Sequence, residues 1–412
     1  MASETKQNSA AVGSSSGQGS LGPDGVPTDV LGGVVKLGNV VKFSGAFIAF
    51  MIGSGYASGQ EIMQFFTAYG IWSIGGLLIA MILFAWLGKV LMNYGYRHRD
   101  LGSDEMADTS FRYYCGKYFG AFLAWFIPVF LLLVCIVMTS GAGATLAQYF
   151  GLPTWVGSLG MCILVFITNL FGFKRIVDIV GALGPLTIIF SIVIAIFAIA
   201  SNPEGLANIG QKADVLATVA NATNGAPLWA LAGLLYVAYN MAGAVPFLTQ
   251  TGGIASSARE AKWGALLGGV MFIAAGLLMN LALLCYIDDV AALEVPTLFL
   301  SDLISPVVSV IFAIILLDEI YSTAAPMMWT AVNRFVPDGT VRNRIAHAVA
   351  AVIVLAVVLS PLSYSQLLGI IYPYTGYIGI VFIACVIVRQ CIELRNKRKG
   401  LPVETPLFQK KQ

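Results

Sequence analysis

Residues 52–61 read Ile52-Gly53-Ser54-Gly55-Tyr56-Ala57-Ser58-Gly59-Gln60-Glu61, and the reading of this stretch decides the fold. An apolar run from Val40 to Ile52 precedes it and another, Ile62 to Ile71, follows, so its three glycines sit inside one apolar crossing. Glycine costs about 1 kcal/mol relative to alanine in a helix interior, and this spacing predicts that the helix opens here. In hydrocarbon an opened backbone is tolerated only where it is buried in protein or lines a cavity. An interrupted span that ends in a carboxylate, Glu61, therefore predicts a binding site. Two half-helices would meet there, one offering free N–H groups and the other free C=O groups.

The surrounding chain fits a membrane setting. It has 412 residues, 58% apolar and 11% charged, whereas soluble domains carry about a quarter charged residues. Apolar windows of about 20 residues fall near 38–70, 72–95, 118–150, 154–171, 176–200, 227–251, 263–287, 305–333, 344–361 and 365–389. The expected class is thus an all-α polytopic membrane protein of ten transmembrane helices, with a transporter domain over 36–392. Residues 1–35, rich in Ser, Gly and Gln, are expected to form a disordered tail, and 393–412 a basic one that touches anionic lipid. No apolar region near Met1 has the character of a cleavable signal peptide.

Charge gives an orientation. All but Lys89 and Lys212 of the 23 basic residues fall on one side of the ten spans, so both termini are expected in the cytoplasm and the protein in the cell membrane. The outer loop before the eighth span is acidic instead, with Asp288, Asp289 and Glu294. The six cysteines show no Cys-x-x-Cys spacing, and His98 and His347 fall in or beside loops. A histidine-based metal or nucleophile site in the membrane is therefore not expected.

The sixth span repeats the oddity of the first. Asn240, Gly243 and Pro246 interrupt it about as far in as the glycines interrupt span one, and proline costs about 3 kcal/mol in a helix interior. The third and eighth spans both carry adjacent hydroxyls, Thr139-Ser140 and Ser322-Thr323. Spans one to five (36–200) and six to ten (226–392) would then form two halves of a 5+5 inverted repeat, with the first and sixth helices unwound mid-membrane.

The phrase FMIGSGYASGQEIMQFFTAYG, residues 50–70, resembles the YkvI-like membrane proteins, an amino-acid permease branch of the amino acid–polyamine–organocation (APC) superfamily. The resemblance covers roughly 36 to 392. It implies the LeuT-like fold, in which a bundle of spans 1, 2, 6 and 7 rocks against a scaffold of 3, 4, 8 and 9. In sodium-coupled proteins of that fold, paired hydroxyls on the eighth span join carbonyls of the first-span break around the ion. By that resemblance Ser322 and Thr323 would hold sodium together with Gly53; hard oxygen ligands suit such an ion.

Each candidate has an ordinary alternative. Gly53, Ser54, Gly55, Ser58 and Gly59 could serve close helix packing, but Gln60 and Glu61 make the stretch polar as well as small, so we read it as substrate-binding. Asn240 and Gly243 could belong to a plain proline kink. Tyr236 and Tyr239, one turn earlier, could be packing aromatics, or could wall a site. An intramembrane carboxylate such as Glu61 suggests a proton carrier or an ammonium partner. Asp318 and Glu319 stand about 100° apart on one helix, so one is expected to pair with a base, for which Lys89 is a candidate. Ser322-Thr323 could simply bond back to their own helix. Lys174, Arg175 and Asp178 read as a loop-end cluster, and Gly116/Gly120 and Gly264/Gly268 as packing pairs.

The expected function is secondary active transport of a small zwitterionic solute, an amino acid, by symport with sodium or protons. No other cofactor is expected, no metal beyond a sodium ion, and no partner besides solute and lipid bilayer; nucleic acid is excluded. The alternative is a passive channel or a non-transporting sensor with the same fold. Neither His-Glu-x-x-His nor Gly-x-Ser-x-Gly occurs, so an enzyme is not expected.

Overall fold

The computed structural model describes residues 35–171, 184–222 and 226–401. The N-terminal tail, the 402–412 end, the Lys174/Arg175/Asp178 cluster and the start of the fifth expected span lie outside the described residues. Helices dominate what is described. The first crossing comprises α1 (Leu37–Met51), a four-residue α2 (Ser54–Ala57) and α3 (Gln60–Phe65). A 3₁₀ turn, Thr67–Trp72, leads to α4 (Ser73–Arg97), followed by α5 (Ser103–Phe150), α6 (Thr154–Phe171) and α7 (Gly184–Ser201). Two short helices, α8 (Pro203–Ala207) and α9 (Ala213–Ala222), precede α10 (Trp229–Gly253) and α11 (Ala258–Cys285). The chain closes with α12 (Ile287–Val290), α13 (Pro296–Asp302), α14 (Pro306–Asn333), α15 (Val341–Val358) and α16 (Tyr364–Arg398).

Among the described residues seven helices are long and apolar enough to cross a bilayer: Thr67–Arg97, Glu105–Phe150, Trp229–Gly253, Ala258–Cys285, Pro306–Asn333, Val341–Val358 and Tyr364–Arg398. The apolar helices Leu37–Met51, Thr154–Leu170 and Thr187–Ser201 are shorter. They occupy the first, fourth and fifth of the ten expected windows. In α5 the chain kinks at Gly116 (φ 76°), just before the expected start of the third span. At this point glycine supplies a backbone bend rather than half of a packing pair.

Two groups of helices emerge from the packing. α4 lies along α10 and α11, and α1 along α11; α5 lies along α6 and α14, with α15 against α6 and α5. α4 and α10 approach until backbone meets backbone. A Cβ on Gly95 would fall 1.8 Å from the Thr249 carbonyl oxygen, and one on Gly252 2.0 Å from that of Met92. Small residues permit such proximity where lipid supplies no hydrophobic drive for association. Gly264 and Gly268 do pack closely, against Phe43 and Phe47 of α1.

The two interrupted spans behave differently. In the first, Ile52 and Gly53 are extended (Gly53 φ −134°, ψ −176°), and Gly59 adopts the left-handed region at φ 81°. The expected unwinding of the sixth is not found: α10 runs as one helix from Trp229 through Asn240, Gly243 and Pro246 to Gly253. The partners available to freed backbone groups explain the contrast. At the first-span break Ser54 N–H donates to Met138 Sδ (3.3 Å), Ala57 C=O accepts from Thr297 Oγ1 (2.8 Å), and Ser58 C=O accepts from Thr297 N–H (3.1 Å). In α10 the polar side chains serve their own helix. Asn240 Nδ2 donates to Tyr236 O (2.9 Å), and Thr249 Oγ1 to Val245 O (2.8 Å). Proline's cost of about 3 kcal/mol is smaller than that of several unsatisfied groups at several kcal/mol each, so the helix stays closed.

His347 also departs from expectation. It is fully buried in α15, its Nδ1 within 3.0 Å of Asn343 O and its ring beside Trp329.

Candidate functional site

A cavity opens where α1 ends. The last turn of α1 and the extended link form one wall through Phe50, Met51, Ile52 and Gly53; α5 adds Phe130, Leu131, Val134 and Met138. Tyr239, Asn240 and Gly243 of α10, Thr323 and Met327 of α14, Tyr372 of α16 and Glu61 of α3 complete it. Helices far apart in sequence therefore converge on the break.

Glu61 is the only carboxylate among the described residues that line this cavity, and no lysine, arginine or histidine is among them. Its side chain is 4% exposed and lies against Gly55: a Cβ there would sit 2.2 Å from Glu61 Oε1. Glycine at 55 is what leaves room for the carboxylate. The hydroxyls of Tyr239 and Tyr236 are directed at the same carboxylate, yet Glu61 Oε2, Tyr236 Oη and Tyr239 Oη are all buried without a completed hydrogen bond. Unpaired buried polar groups are costly, so three of them facing one point mark a place built to receive something. The aromatic wall is continuous. Tyr239 stacks on Tyr372 with centroids 4.6 Å apart, and Phe130 meets Tyr239 edge-on at 6.5 Å.

The sequence candidates divide among three places. Gly53, Glu61, Tyr239, Asn240, Gly243 and Thr323 line the cavity; Tyr236 stands behind it, between Phe65, Phe66 and Phe84. Ser54 and Ser58 are engaged within the protein: Tyr364 Oη lies 3.0 Å from Ser58 Oγ and donates to Ser54 Oγ at 3.4 Å, and Ser58 Oγ donates to Gly55 O at 3.1 Å. Ser322 and Glu319 form a third group. Ser322 Oγ donates back to Glu319 O (3.1 Å), and among the described residues the partner of the Glu319 carboxylate is Thr187 Oγ1 (3.0 Å) rather than Lys89. Only Thr323 of the hydroxyl pair reaches the break, its Cγ2 3.9 Å from a Cβ built on Gly53.

Several contributors carry no sequence signal of their own. Thr297 caps two carbonyls of the break from the N-terminus of α13, and Gln148 holds that segment through paired hydrogen bonds to Val295 (2.7 and 2.8 Å). The acidic segment before α14 is tied down likewise: Lys212 Nζ meets Asp288 at 2.7 Å, and Glu294 accepts from Ser365 N–H (2.7 Å) and Oγ (3.0 Å). Tyr372, at the end of the apolar run 367–371, is the one signal that could have pointed to α16.

No family model matches the sequence. The chain is 27% identical over 366 residues to the uncharacterized membrane protein YkvI of Bacillus subtilis (strain 168), covering 87% of this chain and 98% of YkvI. It is 23% identical over 343 residues to the uncharacterized protein YyaD of the same organism, covering 82% and 93%. Among solved structures it resembles the manganese transporter of Eremococcus coleocola in complex with an aromatic bis-isothiourea compound. The TM-score is 0.51 at 15% identity, covering 89% of this chain and 80% of that one. A mutant of the same transporter gives a TM-score of 0.52 at 15% identity, with 90% and 82% covered. The likeness seen in residues 50–70 thus runs along most of the chain, which is similar to the membrane protein YkvI and shares its fold with a solved membrane transporter.

Proposed function

We propose that this protein is a secondary active transporter of a small solute bearing an ammonium group, an amino acid by its family resemblance, working by alternating access and coupled to sodium or protons. It is not an enzyme on this reading. The observation that carries it is the cavity at the first-span break, where the buried Glu61 carboxyl faces two buried tyrosine hydroxyls. A transporter site near the midplane, formed by a discontinuous helix, has this composition. The grouping of α1, α4, α10 and α11 apart from α5, α6, α14 and α15 supports a 5+5 inverted repeat of halves 36–200 and 226–392, a bundle moving against a scaffold. We place both termini in the cytoplasm and the protein in the cell membrane, on the charge distribution of the loops.

Coupling has two candidate seats. Thr323 at the break, with carbonyls of the last turn of α1, offers oxygen ligands for sodium; Glu61 and Glu319 offer carboxylates for protons. The solved neighbours are manganese transporters by name, but among the described residues no group of three or more His, Cys, Asp or Glu could hold a metal ion. We therefore do not extend manganese to this chain.

The first test is a thermal-shift screen of the purified protein against amino acids, with and without sodium. The expected outcome is stabilisation by a subset of them, of about 3 kcal/mol at a hundredfold excess over Kd. No stabilisation by any, together with no accumulation under a sodium or pH gradient, would leave the channel or sensor alternative standing.

A further inference from the structure

Three features of the cavity at the first-span break favour positive charge. Its one carboxyl group is that of Glu61, and among the described residues lining it there is no lysine, arginine or histidine. Phe50, Met51, Ile52 and Gly53 bring in the C-terminal turn of the 15-residue α1. There the last carbonyls lack intrahelical donors and the helix dipole is negative. Four aromatic rings, Phe50, Phe130, Tyr239 and Tyr372, stand among the remaining lining residues, and aromatic rings attract an ammonium ion within about 6 Å of the ring centroid.

Two groups that could receive a solute carboxylate are already engaged. Ser54 N–H is donated to Met138 Sδ, and the Asn240 amide to Tyr236 O. The Tyr236 and Tyr239 hydroxyls face Glu61, so a second carboxylate brought to them would stand beside the first, and like charges at such range oppose each other. A buried carboxyl group that ionises needs a partner for its charge, and a ligand's ammonium group supplies one.

We infer that recognition at this site rests on the ammonium end of the solute and not on a carboxylate, so that primary amines lacking the carboxylate are ligands alongside, or in place of, the amino acids. The inference rests on the transporter reading and narrows its substrate class. Glu61 would pair with the ammonium, Tyr239 Oη would orient the carboxylate, and Tyr372 and Phe130 would cover the cation.

The test uses matched compounds and the full-length protein. Leucine, 3-methylbutylamine and 4-methylpentanoate share a side chain and differ in the charged groups; phenylalanine, 2-phenylethylamine and 3-phenylpropanoate form a second set. Binding is read by thermal shift in detergent, and by competition against uptake in proteoliposomes for whichever compound is taken up. The expected result is that the amine of at least one set binds as tightly as its amino acid or more tightly, and that neither acid binds. Glu61→Gln should weaken amine binding at least tenfold, and Tyr372→Leu severalfold. Binding of an amino acid without its amine would overturn the inference and leave the transporter reading intact. Binding of an acid in preference to its amine would do the same. Failure of all six compounds to bind, with no gradient-driven uptake, would remove the inference together with the reading beneath it. The wild-type comparison needs no variant, and if Glu61→Gln does not fold, Glu61→Asp, which keeps the charge on a shorter stem, should retain amine preference.

Discussion

At residue scale, the site depends on one small residue making way for one charged one. A methyl group at position 55 would fall 2.2 Å from Glu61 Oε1 and 2.6 Å from its Cγ. The flexible side chain can move aside, so Gly55→Ala should cost only about 1–3 kcal/mol of stability while it dislodges the carboxylate. Ligand binding should fall at least tenfold with Tm lowered by a few degrees, read by thermal shift with and without ligand. Thr297→Val tests the support of the break. It leaves Ala57 C=O without its 2.8 Å partner, a loss of about 1–3 kcal/mol, visible as reduced Tm even without ligand. Glu61 was legible from sequence because a carboxylate inside an apolar run has few innocent explanations. Thr297, Met138 and Tyr364 were not, since a threonine, a methionine or a tyrosine in or beside a helix is ordinary until the fold brings it to the break.

At element scale, glycine and proline signals look alike in sequence but are resolved by what surrounds them. The first-span break survives because α5 and α13 meet its freed groups. The sixth span carries a proline and stays helical, since Asn240 and Thr249 bond within their own helix. Only the partners' positions tell these outcomes apart, and those are tertiary. Pro246→Ala should accordingly leave α10 helical and change stability by no more than about 3 kcal/mol, the ceiling set by proline's cost in a helix interior, with cavity binding retained. Gly252→Ala is the contrasting case. Its Cβ would meet the Met92 carbonyl oxygen at 2.0 Å, and backbone cannot rotate away. α4 and α10 would have to separate, at a loss above the usual 1–3 kcal/mol of overpacking, seen as a large drop in Tm or in folded yield. The seven described helices long enough to cross a bilayer each overlap an apolar window of the sequence, because hydropathy registers the bilayer directly. The kink at Gly116 was not, since its φ of 76° reflects packing rather than composition.

For the whole molecule, the proposed orientation rests on charge across the loops and the proposed function on the cavity. Gly102 and Gly210 both lie in open space, on opposite sides by the basic-residue distribution. In sealed cells a membrane-impermeant maleimide should label Gly210→Cys and spare Gly102→Cys; the reverse pattern would invert the topology. The partition into two helix groups was foreseeable only through family resemblance, because packing between distant spans leaves no trace in local sequence. The account's central claim is that the cavity at the first-span break is a transport site working through Glu61. Its most direct measurement is accumulation of the tightest ligand from the binding screen into proteoliposomes under an imposed sodium or pH gradient, for wild type, Glu61→Gln and the Ser322→Ala/Thr323→Ala double variant. The account predicts gradient-driven accumulation by wild type and its loss, at least tenfold, in Glu61→Gln, with the double variant reporting whether sodium takes part. Accumulation by Glu61→Gln equal to wild type would contradict it.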